Sequence, residues 1–221
     1  MKLILRDKKK DTSDVFSFIF EPEVSVSWKA GQFMQYTLKG STPDDRGTDR
    51  FFTISSAPFE KSIVITTRFN RDKSSTFKED LLNLKLGSTI DAMGPWGDFV
   101  VDYTSKINDL VFIAGGIGIT PFRSILMDIY HNNYPIKVTL LYFNNNDEFP
   151  YKDEFNEIKD KELLSILYST NKFSENDITS IKSYKEKQYY VSGPKGFVDL
   201  VVDTLHSLGV DNIKKDFFPG Y

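Results

Sequence analysis

From about residue 106 onward, compact apolar runs alternate with longer stretches of helical spacing, and no other feature limits the fold as tightly. DLVFIA, KVTLLYF, LLSILYS and QYYVS are each followed by such a stretch: PFRSILMDIYHN, YKDEFNEIKDK, ENDITSIKSY and KGFVDLVVDTLHSLG. Runs that are apolar at nearly every position suit strands covered on both faces, so the pattern predicts a parallel sheet flanked by helices. The closing NIKKDFFPGY offers a last strand, for five or six in all.

The preceding part has a different rhythm. KLILR, DVFSFIFEP, QFMQYTL, RFFTISS, SIVITTRF and STIDAMG are rich in β-branched and aromatic residues and are separated by turn clusters such as KGSTPDDRGTD. Six strands at near-regular spacing predict a small antiparallel barrel. One segment, STFKEDLLNLKLG, has the spacing of a helix, with Gly87 as its stop. The polar stretch DYTSKIND marks the boundary, so residues 1–105 and 106–221 are expected to form two domains.

Composition removes whole classes of chemistry. The chain has no cysteine, which excludes disulfides, thiolate zinc sites, cysteine nucleophiles and cysteine-ligated iron–sulfur clusters. With two histidines, His131 and His206, it is a poor host for a histidine-rich metal site or a bis-histidine haem, and no metal is expected. Any redox chemistry then needs a bound organic cofactor. A net charge of -3 from 28 basic and 31 acidic side chains leaves no nucleic-acid footprint. No apolar run approaches the roughly 18 to 20 residues that cross a bilayer, and the expectation is a cytoplasmic protein.

The first run of the second half leads into a glycine cluster, FIAGGIGITPFRSIL, where a chain turns to hold a phosphate. It is neither common glycine fingerprint. A P-loop needs Lys then Ser or Thr after its last glycine, and here Ile119, Thr120 and Pro121 follow Gly118. A dinucleotide GxGxxG needs glycine where Pro121 stands. The stretch is therefore a phosphate turn of a third kind or a plain strand-to-helix turn. A second small-residue turn, QYYVSGPKGFVDL, repeats the strand, turn and helix order with Ser192, Gly193 and Pro194.

Three motifs in order resemble those of the ferredoxin–NADP reductase family of flavin-dependent electron-transfer enzymes, and together they span nearly the whole chain. The flavin motif, Arg-x-Tyr-Ser/Thr, is matched by Arg50-Phe51-Phe52-Thr53. The nicotinamide turn, Gly-Gly-x-Gly-x-x-Pro, is Gly115 to Pro121 and contains Gly116, Gly118 and Thr120. The Cys-Gly-Pro turn is matched by Ser192-Gly193-Pro194.

The resemblance implies roles. Arg50 would pair with a flavin phosphate, Phe52 would stack on the isoalloxazine and Thr53 would bond its N5. Ser74, Ser75 and Thr76 would offer a second phosphate contact at a helix N-terminus, with Thr66 and Thr67 beside it. Asp216, Phe217, Phe218 and Tyr221 would lie where nicotinamide meets flavin, with Phe218 and Tyr221 as flavin contacts. Thr53, Ser192, Asp216 and Phe218 form the implied catalytic set. Trp96 in MGPWGDF reads as structural.

Three departures qualify these roles. Phe52 stands in place of tyrosine, Ser192 in place of cysteine, and Asn144, Asn145 and Asn146 where family members often carry an arginine for a 2′-phosphate. The last leans the co-substrate toward NADH over NADPH. The implied activity is an NAD(P)H-dependent flavoprotein reductase with FAD, rather than FMN, as its cofactor. Electrons would pass to a separate acceptor: a ferredoxin, a flavodoxin, a membrane redox partner or a small molecule. A free-flavin reductase and a non-catalytic nucleotide-binding module are the alternatives.

Overall fold

The structure, a computed structural model, describes residues 1–38, 44, 47–69, 74–106, 108–159 and 164–218, with the backbone alone at Phe218. The chain divides into two compact units. The first comprises Met1–Val101 together with Arg123–Asp128; the second comprises Asp102–Phe122 and the chain from Ile129 onward.

The first unit is built from β1 (Lys2–Lys10), β2 (Val15–Pro22), β3 (Phe33–Thr37), β4 (Asp49–Thr53), β5 (Ile63–Arg68) and β6 (Thr89–Trp96), with one helix, α1 (Thr76–Asn83). The six expected strands are all present. They form an antiparallel sheet in the order β4-β3-β6-β1-β2-β5. The sheet edges meet just past β4, where the Ser55 N–H and hydroxyl each donate to the Val64 carbonyl at 2.9 Å. Alternation drives the curl: Leu3, Leu5, Phe18, Phe20, Met34, Tyr36, Ile63 and Ile65 all point into one core. Helix α1 covers that core with Phe77 and Leu81, one turn apart, and burying each side chain contributes about 2 kcal/mol.

The second unit is a five-stranded parallel sheet of β7 (Asp109–Gly115), β8 (Lys137–Phe143), β9 (Leu164–Ser169), β10 (Gln188–Pro194) and β11 (Ile213–Phe218). Its helices are α3 (Lys152–Lys159), α4 (Glu175–Thr179) and α5 (Lys195–Ser207), with the two ends of α2 (Thr120–His131), whose middle Arg123–Asp128 belongs to the first unit. The order is β11-β10-β7-β8-β9, so the strand order reverses between β7 and β10. Central β7 is buried along Leu110–Ala114 because both faces are covered. On one face Val111 and Ile113 meet Val198, Val201 and Leu205 of α5; on the other, the Phe112 ring stacks on Phe122 at 4.8 Å. The predicted helix over ENDITSIKSY is shorter than its spacing suggests. A capping box of Ser174 and Asp177 starts α4, but Ser183 adopts a left-handed φ of 54°, and Tyr184–Glu186 form a separate 3-10 turn.

Candidate functional site

The sheet of the second unit brings the two small-residue turns together. Strands β7 and β10 are parallel neighbours at the switch in strand order, and their carboxyl ends lead into Gly115–Ile119 and Ser192–Pro194. That is where open parallel sheets hold ligands, and the N-termini of α2 and α5 lie at the same end. Gly116 is left-handed, with φ 55°, which starts the 3-10 turn Gly116–Ile119.

The other glycines answer to packing. A Cβ on Gly118 would stand 2.3 Å from the Ser192 carbonyl oxygen and 2.6 Å from Gly193 Cα, so the two turns touch backbone to backbone. A Cβ on Gly115 would stand 2.6 Å from the Phe197 ring, and one on Gly193 would be 3.1 Å from the Gly115 oxygen. Thr120 is buried and its hydroxyl donates to the Ile117 carbonyl at 3.2 Å, tying the turn to the first residues of α2, where Pro121 sits.

Ser192 is fully buried, and its hydroxyl has no hydrogen-bond partner among the described residues. A buried hydroxyl with spare bonding capacity at a strand's carboxyl end fits a ligand that brings a polar group to it. Register sets Asp216 opposite Ser192, Phe217 opposite Gly193 and Phe218 opposite Pro194. The resemblance-implied pair Ser192 and Asp216 are therefore neighbours across β10 and β11. Phe217 is half-exposed, with the Lys195 ammonium 5.9 Å from its ring centroid. Tyr221 lies outside the described residues. Asn144 follows β8 and is buried; its amide donates to Asn146 Oδ1 at 2.9 Å and the Glu148 carbonyl at 2.7 Å, so it shapes its own loop. Asn145 and Asn146 are exposed.

In the first unit the implied flavin residues gather around β4 and the start of α1. Arg50 is buried, and its Nη1 donates to the carbonyls of Gly47 at 3.0 Å and Asp49 at 2.7 Å. Its Nη2 grips both carboxylate oxygens of Asp44, at 2.6 Å to Oδ1. The Thr76 hydroxyl, in the first turn of α1, is 3.5 Å from the same carboxylate. Arg50 and Thr76 are thus joined through an anion that the chain supplies itself, and this shows that the donor set suits an oxyanion such as phosphate. Ser75 caps α1 by accepting the Lys78 N–H at 3.4 Å, and Ser74 precedes it.

Phe52 lies in the barrel interior, its ring 5.8 Å from Phe77 and 6.0 Å from Tyr36. The aromatic that β4 turns outward is Phe51, which meets Phe33 edge-on. Tyr36 is fully buried with an unpartnered hydroxyl, and burial pushes its phenol pKa far up. Thr53 is buried at the end of β4, and Thr67 is buried on β5. The Thr66 hydroxyl sits 2.7 Å from Ser17 and 3.0 Å from Ser55, in a chain of hydroxyls that ends on Asp11. These two bonds run to Ser17 and Ser55 and not toward Arg50 or Thr76. Sequence reasoning missed Asp44, because an acid in a turn cluster carries no signal until its arginine partner is placed.

Residues 112–203 match the model of the oxidoreductase NAD-binding domain. Flavohemoprotein A of Dictyostelium discoideum is 24% identical over 98% of this chain, which spans 60% of that protein. The flavohem-like FAD/NAD-binding domain of a nitric oxide dioxygenase from Vibrio cholerae superposes with a TM-score of 0.83 at 23% identity, covering 98% of both chains. A ferredoxin–NADP+ reductase from Plasmodium falciparum gives 0.79 at 19% identity over 98% of this chain and 95% of that one. The resemblance read from the three motifs is borne out at the level of the fold: residues 112–203 match an oxidoreductase NAD-binding domain, and the chain shares the two-domain fold of the Vibrio cholerae domain and the Plasmodium falciparum reductase.

Proposed function

We propose that the chain is an NAD(P)H-dependent flavoprotein reductase, with residues 1–105 holding FAD and residues 106–221 receiving the nicotinamide nucleotide. The observation that carries this reading is the contact of the Gly118 and Ser192–Gly193 turns at the switch point of the parallel sheet, with the Ser192 hydroxyl buried and unpartnered. Bound flavin would supply the hydride acceptor, and the electrons would pass to a separate acceptor: a ferredoxin, a flavodoxin, a membrane redox partner or a small molecule.

The protein's own share is alignment and exclusion of water. Arg50 and the first turn of α1, with Ser74 to Thr76, hold the flavin phosphates. Thr53, Thr66 and Thr67 line the flavin side, and Phe52 backs it from the core. Gly116 and the N-terminus of α2 receive the pyrophosphate of the nucleotide, and Ser192 bonds the nicotinamide end. Asp216 stands opposite Ser192 and Phe218 opposite Pro194 on the neighbouring strand, and with Tyr221 they complete the nicotinamide end of this reading. The exposed Asn145 and Asn146 offer amides to a ribose diol and no cation to a 2′-phosphate, which favours NADH. Among the described residues no helix is long and apolar enough to cross a membrane, and a cytoplasmic setting is part of this proposal.

Purified protein tests the reading. It is expected to retain a yellow cofactor whose released mass is that of FAD, and anaerobic NADH is expected to bleach it. Absence of bleaching with both NADH and NADPH overturns the enzyme. The grip of Asp44 on Arg50 favours one second reading, in which flavin is a loosely held substrate; complete loss of flavin on desalting, with NADH-dependent reduction of added flavin, selects it.

A further inference from the structure

We infer that Asp44 is a built-in competitor for the flavin phosphate, an internal anion that occupies the cradle until the cofactor displaces it. The inference rests on the reading of Arg50 as the phosphate anchor. The guanidinium makes two kinds of contact: Nη1 to the neutral carbonyls of Gly47 and Asp49, and Nη2 to the Asp44 carboxylate. The second contact sets a carboxylate against its charge. The Arg50 side chain is 4% exposed and that of Asp44 16%, so the pair is shielded from water and its Coulomb attraction is stronger than that of a surface pair.

The same carboxylate lies 3.5 Å from the Thr76 hydroxyl, at the positive end of α1. A phosphate that docks on Arg50 and this helix turn takes the position Asp44 holds. Two anions on one guanidinium would repel, so uptake is an exchange: the carboxylate gives up Nη2, the phosphate takes it, and the Gly47 and Asp49 carbonyls keep Nη1. Asp44 thereby keeps a buried arginine paired in the cofactor-free protein and lowers affinity for a phosphate-bearing flavin.

Binding to flavin-stripped protein tests this, with FAD, riboflavin and inorganic pyrophosphate as probes. Asp44→Asn is expected to tighten FAD and pyrophosphate about tenfold while leaving riboflavin, which has no phosphate, within about twofold. The double variant carrying Asp44→Asn and Arg50→Met is expected to lose that gain. Asp44→Ser serves the same comparison if the asparagine variant does not fold. Unchanged or weaker binding of FAD and pyrophosphate in both Asp44 variants overturns the inference. Tighter pyrophosphate with no FAD binding by any form upholds the competing carboxylate and overturns the flavin reading.

Discussion

On the proposed reading the barrel and the parallel sheet each hold a phosphate, and the two places are made of different materials. In the barrel the place is made by side chains: a buried guanidinium, a helix-turn hydroxyl, and a carboxylate that already fills the position. In the sheet it is made by backbone. Gly118, Ser192 and Gly193 lie so close that no side chain fits between them, and the buried Ser192 hydroxyl has no hydrogen-bond partner among the described residues. A charged cradle suits an anion, and the carboxylate that fills it must give way before a phosphate is held. An uncharged turn with spare hydrogen-bonding groups suits a nucleotide that comes and goes.

The contrast can be broken from either side, and the largest effect is expected in the sheet. Gly118→Ala puts a methyl group 2.3 Å from the Ser192 oxygen, and the turns must separate. Denaturant unfolding should show a loss of about 3 kcal/mol, and affinity for NAD+ should fall with it. Gly116→Ala tests conformation rather than space: at φ 55° the left-handed geometry costs a non-glycine residue about 1 to 2 kcal/mol.

In the barrel, Arg50→Met leaves Asp44 without its main partner, and a partly exposed site brings the expected loss to about 2 kcal/mol. Ser192→Ala should move stability the other way, by less than about 1 kcal/mol, since it removes a buried hydroxyl that makes no bond. The same substitution should raise KM for NADH. A stabilised variant with unchanged KM would remove Ser192 from the nucleotide site.

The smallest effect is read in alkali. Burial first, then Asp102, pushes the Tyr190 phenol from 10.0 up to about 12. The folded state keeps this proton where the unfolded chain has released it, so the contribution is complete below pH 10 and is lost as pH rises toward 12. Tyr190→Phe should flatten that fall in unfolding free energy.

Elements with a strong period were legible in the sequence. All six barrel strands and the five strands of the sheet follow from alternation and from continuous apolar runs, and the turns GGIGITP and VSGP announce the switch point. Three things were not legible, each for a physical reason. The partner of Arg50 depends on a turn folding back, which no local pattern encodes. The inward set of β4 is a matter of register: directly opposed residues share a face, so Phe52 follows Met34 inward and Phe51 follows Gln35 outward. The reason for Gly118 lies more than seventy residues away, in the backbone of Ser192.

The central claim is that Arg50 holds the flavin and that the sheet receives the nucleotide independently of it. Parallel calorimetric titrations of Arg50→Met with FAD and with NAD+ test this most directly. The account predicts FAD affinity down by at least about tenfold and NAD+ affinity within about twofold of the unsubstituted protein. Unchanged FAD binding, or an equal loss of both ligands, would contradict it.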